Sequence, residues 1–143
     1  MNLRPALPRD LTLICDDDGS MRLMGRRAMS RLLAVIEDGA LTAETDGSVL
    51  AVGGAVPTSA AGWLEVWFAT TALAASKPVA LVRAMRAAIE RFQARAQSGL
   101  CCWVKSAQSA RLVQMSGFYA AQPLIVTPDL FTLFVRMAHV TRD

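Results

Sequence analysis

One histidine, His139, and three cysteines, Cys15, Cys101 and Cys102, are all that the 143-residue chain offers as soft metal ligands. Cys101 and Cys102 are adjacent, and on a strand adjacent side chains point to opposite faces. These four residues match no metal-ligand spacing, and three cysteines build no disulfide framework. They read as reduced, partly buried thiols. No apolar run reaches the roughly 18 residues of a membrane span. The acidic run Asp16-Asp17-Asp18 is unlike a secretory signal, so a cytoplasmic rather than secreted protein is expected. Charge is also sparse: 15 Lys and Arg against 12 Asp and Glu leave +3. That is too little to argue for a nucleic-acid partner.

What is present is a hydrophobic fraction of 53% beside a charged fraction of 19%, the composition of a globular chain. The length suits one domain, residues 1–143, which would bury about two-thirds of its unfolded surface without a disulfide or metal.

The hydrophobic period changes along the chain. "NLRPALPRDLTLI" suggests a first strand, a turn at Pro5 and Pro8, and a short helix capped by Asp10 from Leu11. Ser20 opens a second helix in which Met24, Ala28, Leu32, Val35 and Ile36 share a face, and Gly39 stops it. From Ala40 the pattern alternates, with Asp46-Gly47 as a hairpin signal. "GWLEVWFAT" predicts a strand with Trp63, Glu65 and Trp67 on one side and Leu64, Val66 and Phe68 on the other. Residues 76–95 carry Leu81, Met85, Ala88, Ile89 and Phe92 at helical spacing, with Ser76 as cap and Pro78 in the first turn. "LCCWVKS" is a strand, "AQSARLVQMSGF" a helix closed by Gly117, and "PLIVTPDLFTLFVRMA" a hairpin around Pro128-Asp129. The predicted order is β-α-α-β-β-β-α-β-α-β-β, a mixed α+β domain with one parallel crossover.

Glycine is missing where it matters most. "LEVWFATTALAASKPV" runs from a strand into a helix N-terminus, a common place to hold a phosphate, yet no glycine lies between them.

This order, together with Ser109, Arg111, Gly117 and Phe118 in "SARLVQMSGF", resembles the GCN5-related N-acetyltransferase (GNAT) superfamily. "LRPALPRDL" is similar to its usual first strand and turn. The chain is also similar to GNAT-like internal virion or assembly proteins of short-tailed bacteriophages. The resemblance implies an acetyl-CoA site at the opened edge between two central strands. Val66 and Phe68 would supply strand backbone there, and Ala75, Ser76 and Lys77 the loop. It also implies Glu65 as the base that deprotonates an amine; a solvated Glu is the alternative. The family's tyrosine acid falls on Val113, which cannot donate a proton, and its frequent asparagine on Ser106. Tyr119 is the only tyrosine and does not match.

Two functions follow from these departures. The first is a non-catalytic phage or prophage component, virion-associated or used in assembly, with a degenerate acetyl-CoA site and no cofactor. It would bind phage structural or assembly proteins, or a second copy of itself, in the host cytoplasm or the virion. Trp63, Trp67 and Trp103 would then form a protein-docking surface, with core packing as the other reading of the three. The second is an acetyl-CoA-dependent N-acetyltransferase acting on an unknown amine. Two arginine stripes, at Arg22, Arg26, Arg27 and Arg31 and at Arg83, Arg86, Arg91 and Arg95, read as solvated helix faces.

Overall fold

The computed structural model describes residues 1–17, 36, 39–104, 107–121 and 132–138. Within them the elements run β1 (Asn2–Pro5), α1 (Pro8–Asp17), β2 (Leu41–Thr45), β3 (Ser48–Pro57) and β4 (Trp63–Thr70). A short 3-10 helix (Ala72–Ser76) follows, then α2 (Pro78–Arg95), β5 (Gly99–Val104), α3 (Ala107–Met115), β6 (Tyr119–Ala120) and β7 (Thr132–Met137). The strands form one mixed sheet in the order β1-β2-β3-β4-β5-β7-β6. Among the described strands only β4 and β5 run parallel, joined by the α2 crossover. The α+β class and the single crossover are as the sequence predicts. The arginine stripe at 22–31, the hairpin tip at Pro128-Asp129, Ser106 and His139 lie outside the described residues.

Helices cover both faces of the sheet. On one face Met85, Ile89 and Phe92 of α2 and Val113 of α3 bury against Val66, Leu100, Cys102 and Phe134. On the other, Leu11 and Ile14 of α1 pack with Ile36, Val52 and Ala69. The alternation predicted for β4 is therefore real. Leu64, Val66 and Phe68 face α2 and α3, while Trp67 faces the α1 side.

Local chemistry explains the punctuation. Asp46 (φ 51°) and Gly47 (φ 77°) both take positive φ, as a tight hairpin between β2 and β3 demands. The end of α3 is a Schellman motif: the Phe118 amide donates to the Val113 carbonyl and the Gly117 amide to that of Gln114. Gly117 takes φ 94°, and Phe118 packs in the same core as Val113.

Two predicted caps are corrected. Asp10 does not precede its helix; α1 starts at Pro8, and Asp10 reaches back from the first turn to accept the Leu7 amide at 2.8 Å. Ser76 does not cap α2. The N-cap is Lys77, without a side-chain hydrogen bond, and the Ser76 hydroxyl donates to the Leu73 carbonyl at 2.8 Å. The apolar loop wins this competition. Its Ala74 and Leu73 pack with Leu50 and Ala84, which winds the segment into the 3-10 helix before α2 can begin.

Candidate functional site

The central strands pair only at one end. Trp63 aligns with Gly99, Leu64 with Leu100 and Glu65 with Cys101. Beyond that rung residues 66–70 of β4 and 102–104 of β5 have no mutual pairing, although β4 stays paired to β3 and β5 to β7. The inner edges of the two strands therefore part into a cleft, where among the described residues backbone donors and acceptors are left for an extended ligand.

Glu65 and Cys101 stand at its vertex. Their neighbours Leu64, Val66, Leu100 and Cys102 face α2 and α3, so both side chains project to the opposite face. Burial raises the Glu65 carboxyl above its ordinary value. Burial, reinforced by the Glu65 charge, likewise raises the Cys101 thiol; Cys102, on the other face, is pushed up to about 12 chiefly by burial. Glu65 makes no hydrogen bond or ion pair among the described residues, so none of them offsets its partial desolvation. Such a carboxylate is more basic than a solvated one, which suits proton abstraction from an amine.

The register places a third group in this row. Val56, Glu65, Cys101, Val135 and Tyr119 are successive cross-strand partners on one face. Tyr119 is 52% exposed and stands three strands, about 15 Å, from Glu65. Only the strand order β5-β7-β6 reveals this placement. Val113, where the resemblance would place a tyrosine, is fully buried.

The loop expected to hold phosphates has a different character. A 3-10 helix directs each amide to the carbonyl three residues back. The Ala74 amide donates to Thr71 and that of Lys77 to Ala74, both at 3.1 Å. The Thr71 amide and hydroxyl both donate to β3, the hydroxyl reaching the Val49 carbonyl at 2.7 Å. Pro78 has no amide proton. The Lys77 ammonium lies 3.6 Å from the Asp46 carboxylate. Of the expected cofactor-binding residues, Val66 and Phe68 border the cleft through their backbones, whereas the amides of Ala75, Ser76 and Lys77 turn into the helix. The strand edge keeps free backbone groups at Val66 and Phe68, whereas the loop amides are engaged up to Lys77.

The three tryptophans are half-buried. The Trp63 ring lies against Gly99, where a Cβ would come within 2.8 Å of it. Trp67 lies over Gly54 with the same clearance, its indole nitrogen buried without a partner among the described residues. Trp103 pairs with Leu133.

Two hollows flank the cleft. An apolar cavity of about 40 Å³ lies under α2, lined by Ala43, Gly53, Phe68, Ala84 and Ala88 among others. A surface hollow of about 350 Å³ sits at the opposite, paired end of β4, between Thr58, Trp63 and Arg95. It is larger and opens beside Trp63 and Leu64, on the side of the Glu65–Cys101 rung away from the parted strands. Among the described residues no group of His, Cys, Asp and Glu is placed to hold a metal, and no helix is long and apolar enough to cross a membrane.

No protein-family model and no curated protein sequence matches the chain. Solved structures do match. A GNAT superfamily phosphinothricin acetyltransferase from Sinorhizobium meliloti, in complex with acetyl-CoA, superposes with a TM-score of 0.71 at 15% identity, over 96% of this chain and 88% of that one. A ribosomal-protein-alanine N-acetyltransferase from Brucella melitensis gives 0.71 at 16% identity, over 96% and 99%. An aminoglycoside acetyltransferase, in complex with coenzyme A and kanamycin, gives 0.67 at 15%, over 95% and 94%. The fold is that of GNAT acetyltransferases.

Proposed function

We propose that this chain is an N-acetyltransferase that takes an acyl group from a pantetheine thioester and passes it to an amine. The observation that carries the reading is the parting of β4 and β5 immediately after the Glu65–Cys101 rung. The sequence leaves that feature open, and it weighs towards catalysis. The free strand edge holds the extended arm of the donor, and the thioester supplies the acyl carbon. Glu65, its proton affinity raised by burial, accepts the proton of the attacking amine and returns it to the departing sulfur.

The test is release of free thiol from acetyl-CoA in the presence of candidate amines. Phosphinothricin, spermidine, kanamycin, glutamate and a peptide with N-terminal alanine sample the acceptors named for similar folds. Amine-dependent release that is lost in Glu65→Gln is the expected result. Folded protein that releases no thiol with any of them overturns it.

A second reading is favoured by one observation, the loop whose amides are taken up in a 3-10 helix. In that reading the protein is a non-catalytic virion-associated or assembly component of a bacteriophage or prophage. Trp63, Trp67 and Trp103 would then serve contacts with phage structural proteins. An unchanged melting temperature in millimolar acetyl-CoA, with no turnover, is its signature. A bound donor should instead raise the melting point by roughly 5–10 °C at about 100-fold its Kd.

A further inference from the structure

The cleft and the loop make opposite statements about the donor. Along residues 66–70 the strand edge is open to an extended arm. At residues 71–78 the amides of Thr71, Ala74 and Lys77 are already bonded, Pro78 has none, and the Lys77 charge faces Asp46. A nucleotide diphosphate would find few donors within that stretch; beyond it only the Val79 and Ala80 amides precede the first bonded amide of α2, that of Leu81.

The surface beside that loop carries other chemistry. Val79 is 65% exposed in the first turn of α2, and Arg83 and Arg86 follow it at helical spacing, both exposed. Arg86 donates through Nε to the Met115 carbonyl at 2.9 Å, which brings the exposed Met115 at the end of α3 into the same patch. Arg83 makes no ion pair among the described residues. Across α2 and α3, Arg83, Arg86, Arg91, Arg95 and Arg111 stand against one acid, Glu90, which is itself paired with Arg136 at 2.6 Å. Exposed apolar side chains among unopposed arginines suit an acidic protein surface, and the apolar members distinguish the patch from a simple polyanion site.

We infer that the donor is an acyl group on the phosphopantetheine arm of an acidic carrier domain, which docks on Val79, Arg83, Arg86 and Met115, and that the CoA nucleotide is not read. The inference rests on the acyl-transfer reading of the cleft. Arm and carrier have separate footprints: the arm lies along β4, the carrier on α2 and the end of α3.

Calorimetric titration of the full chain with three donors tests it: S-acetyl-pantetheine, acetyl-CoA, and an acyl carrier protein loaded with an acetylated phosphopantetheine. Acetyl-pantetheine and acetyl-CoA should bind within three-fold of each other, and the loaded carrier at least ten-fold more tightly than either. Arg83→Glu, on an exposed position, should weaken the carrier ten-fold or more and leave S-acetyl-pantetheine unchanged. Acetyl-CoA binding more than three-fold tighter than S-acetyl-pantetheine overturns the inference alone, since it shows that the nucleotide is read. So does a loaded carrier that fails to reach the ten-fold gain, or that binds Arg83→Glu undiminished. Absence of binding by all three donors overturns the acyl-transfer reading together with it.

Discussion

Two carboxylates, Asp10 buried in α1 and Glu65 half-buried in β4, have opposite surroundings. Asp10 is 1% exposed and saturated. It takes two bonds from the Arg4 guanidinium, one from the Leu7 amide and one from the Thr42 hydroxyl, all at 2.8 Å. Arg4 is held in turn by Glu44 at 2.9 Å. Burial pushes the Asp10 carboxyl up, but the bonds from Arg4, Leu7 and Thr42 outweigh it and bring it to about 2. Glu65 has no such donors among the described residues and is raised by burial. A carboxylate fully met by the protein ties β1, β2 and α1 together. One left unmet is available to a ligand.

Substitution should separate the two, and the largest effect belongs to Glu65. Glu65→Gln should lower amine acetylation by about 10²–10⁴-fold, the usual contribution of a general base. The melting temperature should hold or rise, because an uncompensated half-buried charge is removed. Asp10→Asn should reverse the pattern. It leaves the Arg4 charge without its main partner and costs roughly 3 kcal/mol, about 10 °C in melting temperature, with kcat retained below the transition.

pH sharpens the contrast, with opposite signs. Asp10 has a folded pKa below its unfolded value, so its stabilisation is complete above about pH 4 and is lost as pH falls towards about 2. Glu65 has a folded pKa above its unfolded value, so the folded protein holds that proton more tightly and stability is lost as pH rises through the ordinary glutamate range. The stability gained by Glu65→Gln should therefore be larger at pH 7 than at pH 4, as denaturant titration at the two pH values would show. The acid limb of kcat/KM should lie above the pKa of an ordinary glutamate.

Smaller effects probe the frame around the vertex. Gly54→Ala brings a Cβ within 2.8 Å of the Trp67 ring and should cost about 1–2 kcal/mol. Gly117→Ala strains the left-handed end of α3 and crowds Arg136 Nε at 2.9 Å, for about 1 kcal/mol. Both are read by thermal unfolding.

Features written in a few neighbouring residues were legible in the sequence. Asp46-Gly47 forms its hairpin, Gly117-Phe118 closes its helix, and β4 alternates as its apolar pattern predicts, because turn φ angles and strand period are local properties. Ser76 misled because its cap competes with burial of Ala74 beneath Leu50, a contact distant in sequence. Asp10 looked like a cap and is also the acid of an ion pair that depends on Arg4 of β1 and Thr42 of β2. The parting of β4 from β5 and the row from Glu65 to Tyr119 arise only from strand pairing, so no spacing announces them. Glu65 itself was visible as a candidate; its isolation from donors was not.

The most direct test of the account is hydrogen–deuterium exchange of the full chain with and without saturating acetyl-CoA. Ligand along the parted strands should slow exchange in residues 66–70 and 102–104 and leave the loop amides of residues 72–77 unchanged. Protection confined to residues 72–77, or no protection in either strand, would contradict the cleft as the donor site.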